Sequence, residues 1–201
     1  MNGKNESPFL LSDDGWVHIT PMGEFPHHVG VVQVIDRRAC DLMAADFEKR
    51  RTEEGDRFAG LLVDYDHFSL DTDKPSEAAG WLTELGARDD GLWGRVRWTD
   101  EGRKAVTGGR YRFVSAVFPP ADELEWVDKE ARKGRPVRIV SVALTNEPNI
   151  KGGKPIANRG AGDGTGEADL AAKERKGETA DGAKRAGVEP DDFPGAAVGG
   201  D

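Results

Sequence analysis

The stretch WLTELGARDDGLWGRVRW, residues 81–98, holds two runs in which apolar and polar side chains alternate, joined by the turn DDG at 89–91. Alternation with a period of two is typical of strands that bury one face, and an Asp-Gly step favours a tight hairpin turn. The stretch therefore predicts a β-hairpin. Because Trp81, Trp93 and Trp98 straddle the turn, we expect core and cross-strand packing of these rings rather than a platform that stacks sugars or bases.

Strand-like runs continue on both sides of this hairpin. They are short, rich in β-branched and aromatic residues, and fall at 16–20, 29–35, 61–65, 111–118, 124–127 and 137–144. Prolines and a glycine predict a loop at 21–26, between the first two runs. The last two runs are expected to pair with each other across the charged turn 128–135. The sequence therefore indicates an α+β protein that is mostly β.

Two helices are expected among these strands. Asp36 can cap a helix over 37–54, in which Cys40 occupies an apolar position. Thr99 can cap a second helix over 100–107, whose acidic first residues suit the helix dipole. Since Cys40 is the single cysteine, it has no disulfide partner within the chain, and we expect it to pack as a small hydrophobic residue.

Composition limits the class of protein. The chain has 201 residues and a net charge of -9, so one domain of roughly 100–150 residues would leave a substantial appendage. The acidic balance argues against direct binding of nucleic acid, which needs a concentrated positive patch. The sequence contains neither a recognisable leader nor an apolar run long enough to span a bilayer. We therefore expect a cytoplasmic protein with no membrane partner.

The appendage is expected at residues 158–201. Its sizeable apolar side chains are few: Leu170, Val188, Phe193 and Val198. Burying so few cannot offset the entropy lost when a segment of this length is ordered. We predict a folded domain over 1–157 and a flexible, low-complexity tail over 158–201.

One histidine and one serine are the best candidates for chemistry. Among the four histidines, only His67 lies between a predicted buried strand and a polar loop, directly after Asp64 and Asp66. It is the best candidate for a general base. Ser115 lies in the middle of a predicted strand, and a serine there is by default a packed hydroxyl unless a histidine reaches it. Ser69 offers another hydroxyl, but two residues from His67 it is poorly placed as a nucleophile.

A metal site is the rival chemistry. The pair His27 and His28 could supply nitrogen ligands, with oxygen and nitrogen ligands from Asp64, Asp66 and His67. However, the sequence has no HExxH, no CxxC and no pair of histidines four residues apart on a helix. It also lacks a glycine-rich loop of the phosphate-binding type. We therefore predict no metal and no cofactor.

Six segments resemble a known family in wording and in order: TPMGEFP, DYDHFS, AAGWLTEL, RDDGLWGRVRWT, YRFVSAVF and SVALTNEPNI. Together they are similar to the Mu-type phage I protein, a head-maturation or prohead protease, over almost all of the predicted folded part. The resemblance implies a fold like that of the herpesvirus assemblin, a closed β-barrel with flanking helices. It also implies a serine endopeptidase.

The resemblance carries two catalytic residues over to this chain. The family's histidine lies in a D-Y-x-H segment, which matches His67, and its serine lies in an aromatic-rich strand, which matches Ser115. Ala116 stands where the family's serine is expected to be followed by proline, a change that removes no catalytic atom. The third member of the triad is left open among four residues: Asp66, Asp64, Asn146 and Glu147.

The resemblance also implies partners and a location. A protease of this family would act inside assembling proheads in the host cytoplasm, on phage scaffold and major capsid proteins and on its own C-terminal tail. Fuller members carry a helical scaffolding region after the protease domain, so we expect either that the scaffold is a separate protein or that this chain is a shortened or processed product. A homodimer is left open. The alternative is a catalytically inert capsid-assembly module with the same fold and an acidic tail.

Overall fold

A computed structural model describes residues 9–71, 73–74 and 76–159. All of them fall within one compact unit, Met1–Gly160. The predicted tail lies outside the described residues apart from its first two positions.

The described residues form strands and two α-helices, with bounds close to many of those expected from the sequence. The strands are β1 (Phe9–Leu11), β2 (Trp16–Pro21), β3 (Gly23–His27), β4 (Val31–Ile35), β5 (Leu61–Tyr65), β6 (Gly80–Arg88), β7 (Gly91–Trp98), β8 (Phe113–Val117), β9 (Glu125–Asp128), β10 (Lys133–Arg135), β11 (Ser141–Thr145) and β12 (Ala157–Arg159). The helices are α1 (Arg37–Glu54) and α2 (Asp100–Thr107). The prediction of a mostly β protein with two helices is confirmed.

The largest sheet has six strands in the order β2-β7-β6-β5-β11-β8. The predicted hairpin β6–β7 lies within it, and every neighbouring pair is antiparallel except β5 and β11, which run parallel. The two terminal strands, β2 and β8, contact each other without pairing. The sheet is therefore nearly closed, like a barrel, with one unpaired seam.

A smaller sheet, in the order β3-β4-β10-β9, corrects two sequence predictions. The loop predicted at 21–26 is wrong, because most of this segment is β3, an edge strand in which Pro26 is tolerated. The pairing predicted between the last two runs is also wrong. β9 pairs with β10, inside the stretch expected to be a turn, whereas β11 pairs with β5 and β8 of the large sheet.

Both helix starts follow the capping expected from the sequence. Asp36 accepts a hydrogen bond from the backbone N–H of Ala39 at 2.9 Å, and Thr99 accepts one from that of Gly102 at 3.0 Å. Asp36 also pairs with Arg135 of β10 at 2.8 Å, which ties the start of α1 to the smaller sheet. Cys40 is fully buried in the core, and burial raises the pKa of its thiol to about 11. Its expected packing role is confirmed.

The hydrophobic core lies between the inner face of the large sheet and the helices. Its largest fully buried apolar side chains include Ile35, Met43, Leu82, Leu92 and Leu144. In the part of the chain that the structure describes, neither helix has the length and apolar character needed to cross a membrane.

Candidate active site

Ser115 lies in the middle of β8 and faces away from the main core. Its neighbours Val114 and Ala116 pack on the core, so the alternation of side chains turns Ser115 to the opposite face. Ser115 pairs with Ala143 of β11, and Ala143 pairs with Asp64 of β5. Since paired residues project from the same face of a sheet, these three side chains form one row. Two strand spacings separate the Cα atoms of Ser115 and Asp64, about 10 Å.

A cleft of about 590 Å³ runs beside β8, and both Ser115 and His67 line it. Residues 114–121 line the cleft without a gap. A cavity over one face of a strand would meet every second residue only, so this cleft follows the free edge of β8. On the other side β2 contributes Ile19 and Thr20. The cleft therefore lies along the seam where the large sheet does not close.

The mouth of the cleft is apolar and holds two histidine rings that contact each other with their planes tilted by 40°. Val29 and Leu70 line it and are 54% and 58% exposed. His27 and His28 also line it, with ring centroids 4.1 Å apart. Burial and the neighbouring His28 lower the pKa of His27. Exposed apolar side chains around a concave surface are typical of a site that binds another molecule.

The loop that follows β11 forms a further wall and is anchored at its far end. Pro148 and Ile150 line the cleft. Downstream, the backbone N–H of Lys154 donates to Nδ1 of His18 at 3.0 Å, and Lys154 Nζ pairs with Asp90 at 2.5 Å. The ammonium holds the pKa of Asp90 at about 2. The wall is therefore fixed to the β2–β7 part of the sheet.

His67 lies two residues after the end of β5, in an unusual backbone conformation. Asp66 and His67 have φ values of 49° and 61°, in the left-handed region that residues other than glycine seldom adopt. The ring nitrogen Nδ1 is fully buried and has no hydrogen-bond partner among the described residues. Burial lowers the pKa of His67, although Asp64 and Asp66 oppose the shift. The imidazole is therefore kept neutral near pH 7, as a general base requires.

Asp64 is fully buried at the end of the row that starts with Ser115. Its Oδ2 accepts a hydrogen bond from the backbone N–H of Ser69 at 2.8 Å and another from the Ser69 hydroxyl. Its Oδ1 is buried and has no partner among the described residues. Two buried polar atoms without partners, Asp64 Oδ1 and His67 Nδ1, thus occur within four residues of each other.

The other three candidates for the third position contact different groups. Asp66 accepts a hydrogen bond from the Tyr111 hydroxyl at 2.8 Å. Asn146 bridges the backbone of the segment before β8, as acceptor from Arg112 N–H at 3.1 Å and donor to the Arg110 carbonyl at 2.8 Å. Glu147 is exposed and pairs with Lys151 at 3.1 Å. Sequence reasoning named Asp64 but could not rank it, because the row depends on the pairing of β5 with β11.

The side chains considered as metal ligands do not form a metal-binding group. Among the residues that the structure describes, no three histidine, cysteine or acidic side chains could together hold a metal ion. His27 and His28 line the same cleft as His67, on the wall formed by the smaller sheet. Sequence reasoning missed the contact between Ser69 and Asp64, for which the spacing of five residues across a turn was the only signal.

Comparisons with known proteins agree on one family. The family described as "Mu-like prophage I protein, N-terminal domain" matches residues 17–157. The chain is 33% identical over 162 residues to the "Mu-like prophage FluMu I protein" of Haemophilus influenzae, covering 74% of this chain and 42% of that protein. It is 32% identical over 157 residues to "Protease I" of Escherichia phage Mu, covering 73% and 40%. The chain thus spans less than half the length of these relatives. No solved structure matches it.

Proposed function

The chain belongs to the Mu-like prophage I protein family, and from this premise we propose that it is a phage head-maturation protease. Ser115 is the nucleophile of this serine endopeptidase and His67 is its general base. The observation that carries the proposal is that both side chains open on one cleft, beside the edge of β8. A relative named "Protease I" supports the reaction class.

The proposed reaction uses Nε2 of His67 as the base. As Ser115 Oγ attacks the carbonyl carbon of the peptide, Nε2 takes the hydroxyl proton. The tetrahedral intermediate collapses, the C–N bond breaks, and the imidazolium gives its proton to the leaving amine. Water then attacks the acyl ester, with His67 again accepting and returning one proton, and the Ser115 hydroxyl is restored.

Asp64 is the third member of the proposed triad. Among the four candidates it alone is fully buried and has an unpartnered carboxylate oxygen, and it is the first acid whose charge raises the pKa of His67. A hydrogen bond from Nδ1–H to Oδ1 would satisfy both buried atoms. It would also fix the tautomer in which Nε2 accepts a proton and would stabilise the imidazolium.

The substrate in this proposal is an extended peptide segment. β8 is the last strand of its sheet, and an edge strand presents unpaired N–H and C=O groups that can pair with another chain. Because the cleft follows that edge, a peptide can add as a strand and bring its carbonyl carbon to Ser115. The apolar mouth at Val29 and Leu70 suits an apolar substrate side chain. We propose the chain's own C-terminal part, scaffold and major capsid proteins as substrates, inside proheads in the host cytoplasm.

The test is the intact mass of the protein over time, co-expressed with the phage capsid and scaffold proteins. Wild type is expected to yield discrete fragments that are absent from Ser115→Ala and His67→Ala. Ser141→Ala is the matched control, because its hydroxyl is also buried on an adjacent strand but lies outside the cleft lining. Fragments that persist in Ser115→Ala would overturn the assignment.

A fluorophosphonate tests the nucleophile without a known substrate. Ser115 Oγ would attack phosphorus and expel fluoride, which leaves a stable ester and a defined gain in mass on the peptide that contains Ser115. Absence of both labelling and cleavage, together with normal heads from Ser115→Ala, would favour the inert assembly module.

A further inference from the structure

We propose that Ser69 is a positioning residue, which holds Asp64 Oδ2 and so leaves Oδ1 free to accept a hydrogen bond from His67 Nδ1. This inference rests on the proposed roles of Ser115 and His67. It gives the Ser69 hydroxyl, in the DYDHFS segment, a role other than nucleophilic attack.

The first observation is that Ser69 supplies both partners of the Asp64 carboxylate. Its backbone N–H donates to Oδ2 at 2.8 Å, and its hydroxyl donates to the same oxygen. No other described residue donates a hydrogen bond to Asp64. A buried carboxylate needs donors to offset the loss of water. The orientation of Asp64 is therefore set by one residue.

The second observation concerns Asp64 Oδ1, the carboxylate oxygen to which Ser69 does not donate. Both donors converge on Oδ2, so Oδ1 keeps its full capacity to accept and is buried away from solvent. A buried acceptor without a hydrogen bond destabilises the fold, so this arrangement is unfavourable if Asp64 has only a structural role. The other buried polar atom without a partner in this segment, His67 Nδ1, has the matching donor capacity in one tautomer. Ser69 therefore holds Oδ2 in place and leaves Oδ1 able to accept a hydrogen bond.

The turn after β5 explains how the chain brings Ser69 back to Asp64. Two left-handed residues, Asp66 and His67, reverse the backbone, and a short 3₁₀ turn over Phe68–Leu70 follows. Leu70 N–H donates to the His67 carbonyl at 3.0 Å, which closes this turn. The same turn therefore places the imidazole and the hydroxyl that anchors its partner. Strain in the left-handed residues is of the kind that functional sites retain.

The test compares three replacements of Ser69 in the full chain by the rate at which a fluorophosphonate labels Ser115. Ser69→Ala is expected to slow labelling roughly 10–100-fold, the loss that follows from removing one hydrogen bond to a charged group. Ser69→Thr keeps the hydroxyl and should restore the rate to within about 3-fold, and Ser69→Cys, a weak donor, should fall between them. Ser12→Ala, which also loses a serine hydrogen bond but lies on an exposed turn, should label at the wild-type rate.

A second readout separates positioning from general stability and needs no protease activity. Nitrogen NMR of the ring of His67 reports which nitrogen carries the proton. Wild type is expected to favour the Nδ1–H tautomer, and Ser69→Ala should shift the population toward Nε2–H while Ser69→Thr does not. If wild type is not labelled at all, the proposed nucleophile fails, and the tautomer shift still decides the role of Ser69.

Equal labelling rates and unchanged His67 signals in Ser69→Ala would overturn the inference. If Ser69→Ala does not fold, the labelling rates of wild type, Ser69→Thr and Ser69→Cys decide. A purely structural role would not make these rates follow the strength of the hydrogen-bond donor at residue 69. Labelling rates in that series that do not follow donor strength would also overturn it.

Discussion

The burial of His67 has two effects on its imidazole. Its burial lowers the imidazole pKa below the ordinary value of 6.5, which keeps the ring neutral at pH 7 and able to accept a proton. In the proposed reaction, burial also makes the imidazolium costly to form unless an anion is close. Asp64 and Asp66 both act against the shift. A neighbouring carboxylate would therefore matter more for the proposed transition state than for the resting state.

This balance predicts the effect of Asp64→Asn. In the proposed triad the carboxylate accepts from Nδ1–H and its charge stabilises the imidazolium. With its oxygen kept at the Ser69 donors, the amide introduced by this substitution would turn an NH2 group toward Nδ1 and carry no charge, so kcat/KM should fall on the order of 10²–10⁴-fold. Because that charge also raises the pKa of His67, the acid limb of kcat/KM, already below pH 6.5 in wild type, should move to lower pH. The pH dependence of the labelling rate of Ser115 gives the same information without a substrate.

Asp66→Asn is the matched control for that prediction. Asp66 is exposed and its carboxylate already accepts from the Tyr111 hydroxyl. Burial, together with this hydrogen bond, raises the pKa of Tyr111 to about 12. Its replacement should lower the rate less than about 10-fold, the lower end of what a single hydrogen bond to a charged group is worth. If Asp66→Asn causes the large loss and Asp64→Asn the small one, the third position belongs to Asp66.

At the scale of elements, helix α2 lies unusually close to the segment before β6. A Cβ added at Gly102 would fall 1.8 Å from the carbonyl oxygen of Ala79. Thr99, which caps α2, also donates to that carbonyl at 3.0 Å. The helix is therefore positioned by direct contact with the backbone, at a point where only glycine fits.

Gly102→Ala should destabilise the protein, although the same change within a helix ordinarily stabilises it by about 0.5–1 kcal/mol. Overpacking against the fixed backbone of Ala79 is expected to lower the free energy of unfolding by roughly 1–3 kcal/mol. Urea denaturation measures the difference. Gly153→Ala, whose added Cβ would meet nothing within 4 Å, should change stability by less than about 1 kcal/mol. Similar values for both variants would contradict the close contact.

The elements that the sequence predicted well are those with local signals. Both helices have a capping side chain at the expected position, and the β6–β7 hairpin has its Asp-Gly turn. The wrong predictions concern contacts between segments that are far apart in the sequence. β3 contains a proline, which predicts a loop unless the strand is known to lie at the edge of a sheet. For β11, the sequence predicts pairing with the nearest strand along the chain, whereas its partners are β5 and β8. Strand partners depend on long-range packing, which a local pattern does not encode.

The same limit applies to the candidate site. Ser115 and His67 were named from the sequence through a family resemblance, and both line one cleft. Asp64 was one of four alternatives. Its full burial and its unpartnered oxygen separate it from the others, and its place in the row through Ala143 aligns it with Ser115. The parallel pairing of β5 with β11 creates that row, and no residue pattern near Asp64 indicates it. The role proposed for Ser69 depends on the same buried carboxylate.

At the scale of the whole molecule, the seam in the large sheet explains where the cleft lies. Complete closure would pair β8 with β2 and leave no edge for a peptide. The terminal strands contact each other but do not pair, and the cleft contains residues from both. The smaller sheet adds a wall through His27 and Val31. A sheet that stops one strand pair short of closure can thus combine a stable core with an open edge.

The end of the described chain supplies a last prediction. β12 pairs with β1 through Phe9↔Arg159, Leu10↔Asn158 and Leu11↔Ala157. Phe9 in turn covers Gly109 at the end of α2, and the guanidinium of Arg112 lies 4.2 Å above its ring. A chain that ends at residue 157, the boundary expected from the sequence, would lose two of these three pairs and loosen β1.

We therefore expect a chain of residues 1–160 to melt within about 2 °C of the full chain, and a chain of residues 1–157 to melt lower. Loss of about 1–2 kcal/mol of pairing and packing corresponds to roughly 2–8 °C for a protein of this size. Calorimetry at equal concentration measures both, and the shorter chain should also show faster amide exchange in β1. Equal melting of the two shortened chains would place the structural boundary at residue 157, whereas a large loss in the 1–160 chain would mean that residues beyond 160 contribute to the stability of the compact unit.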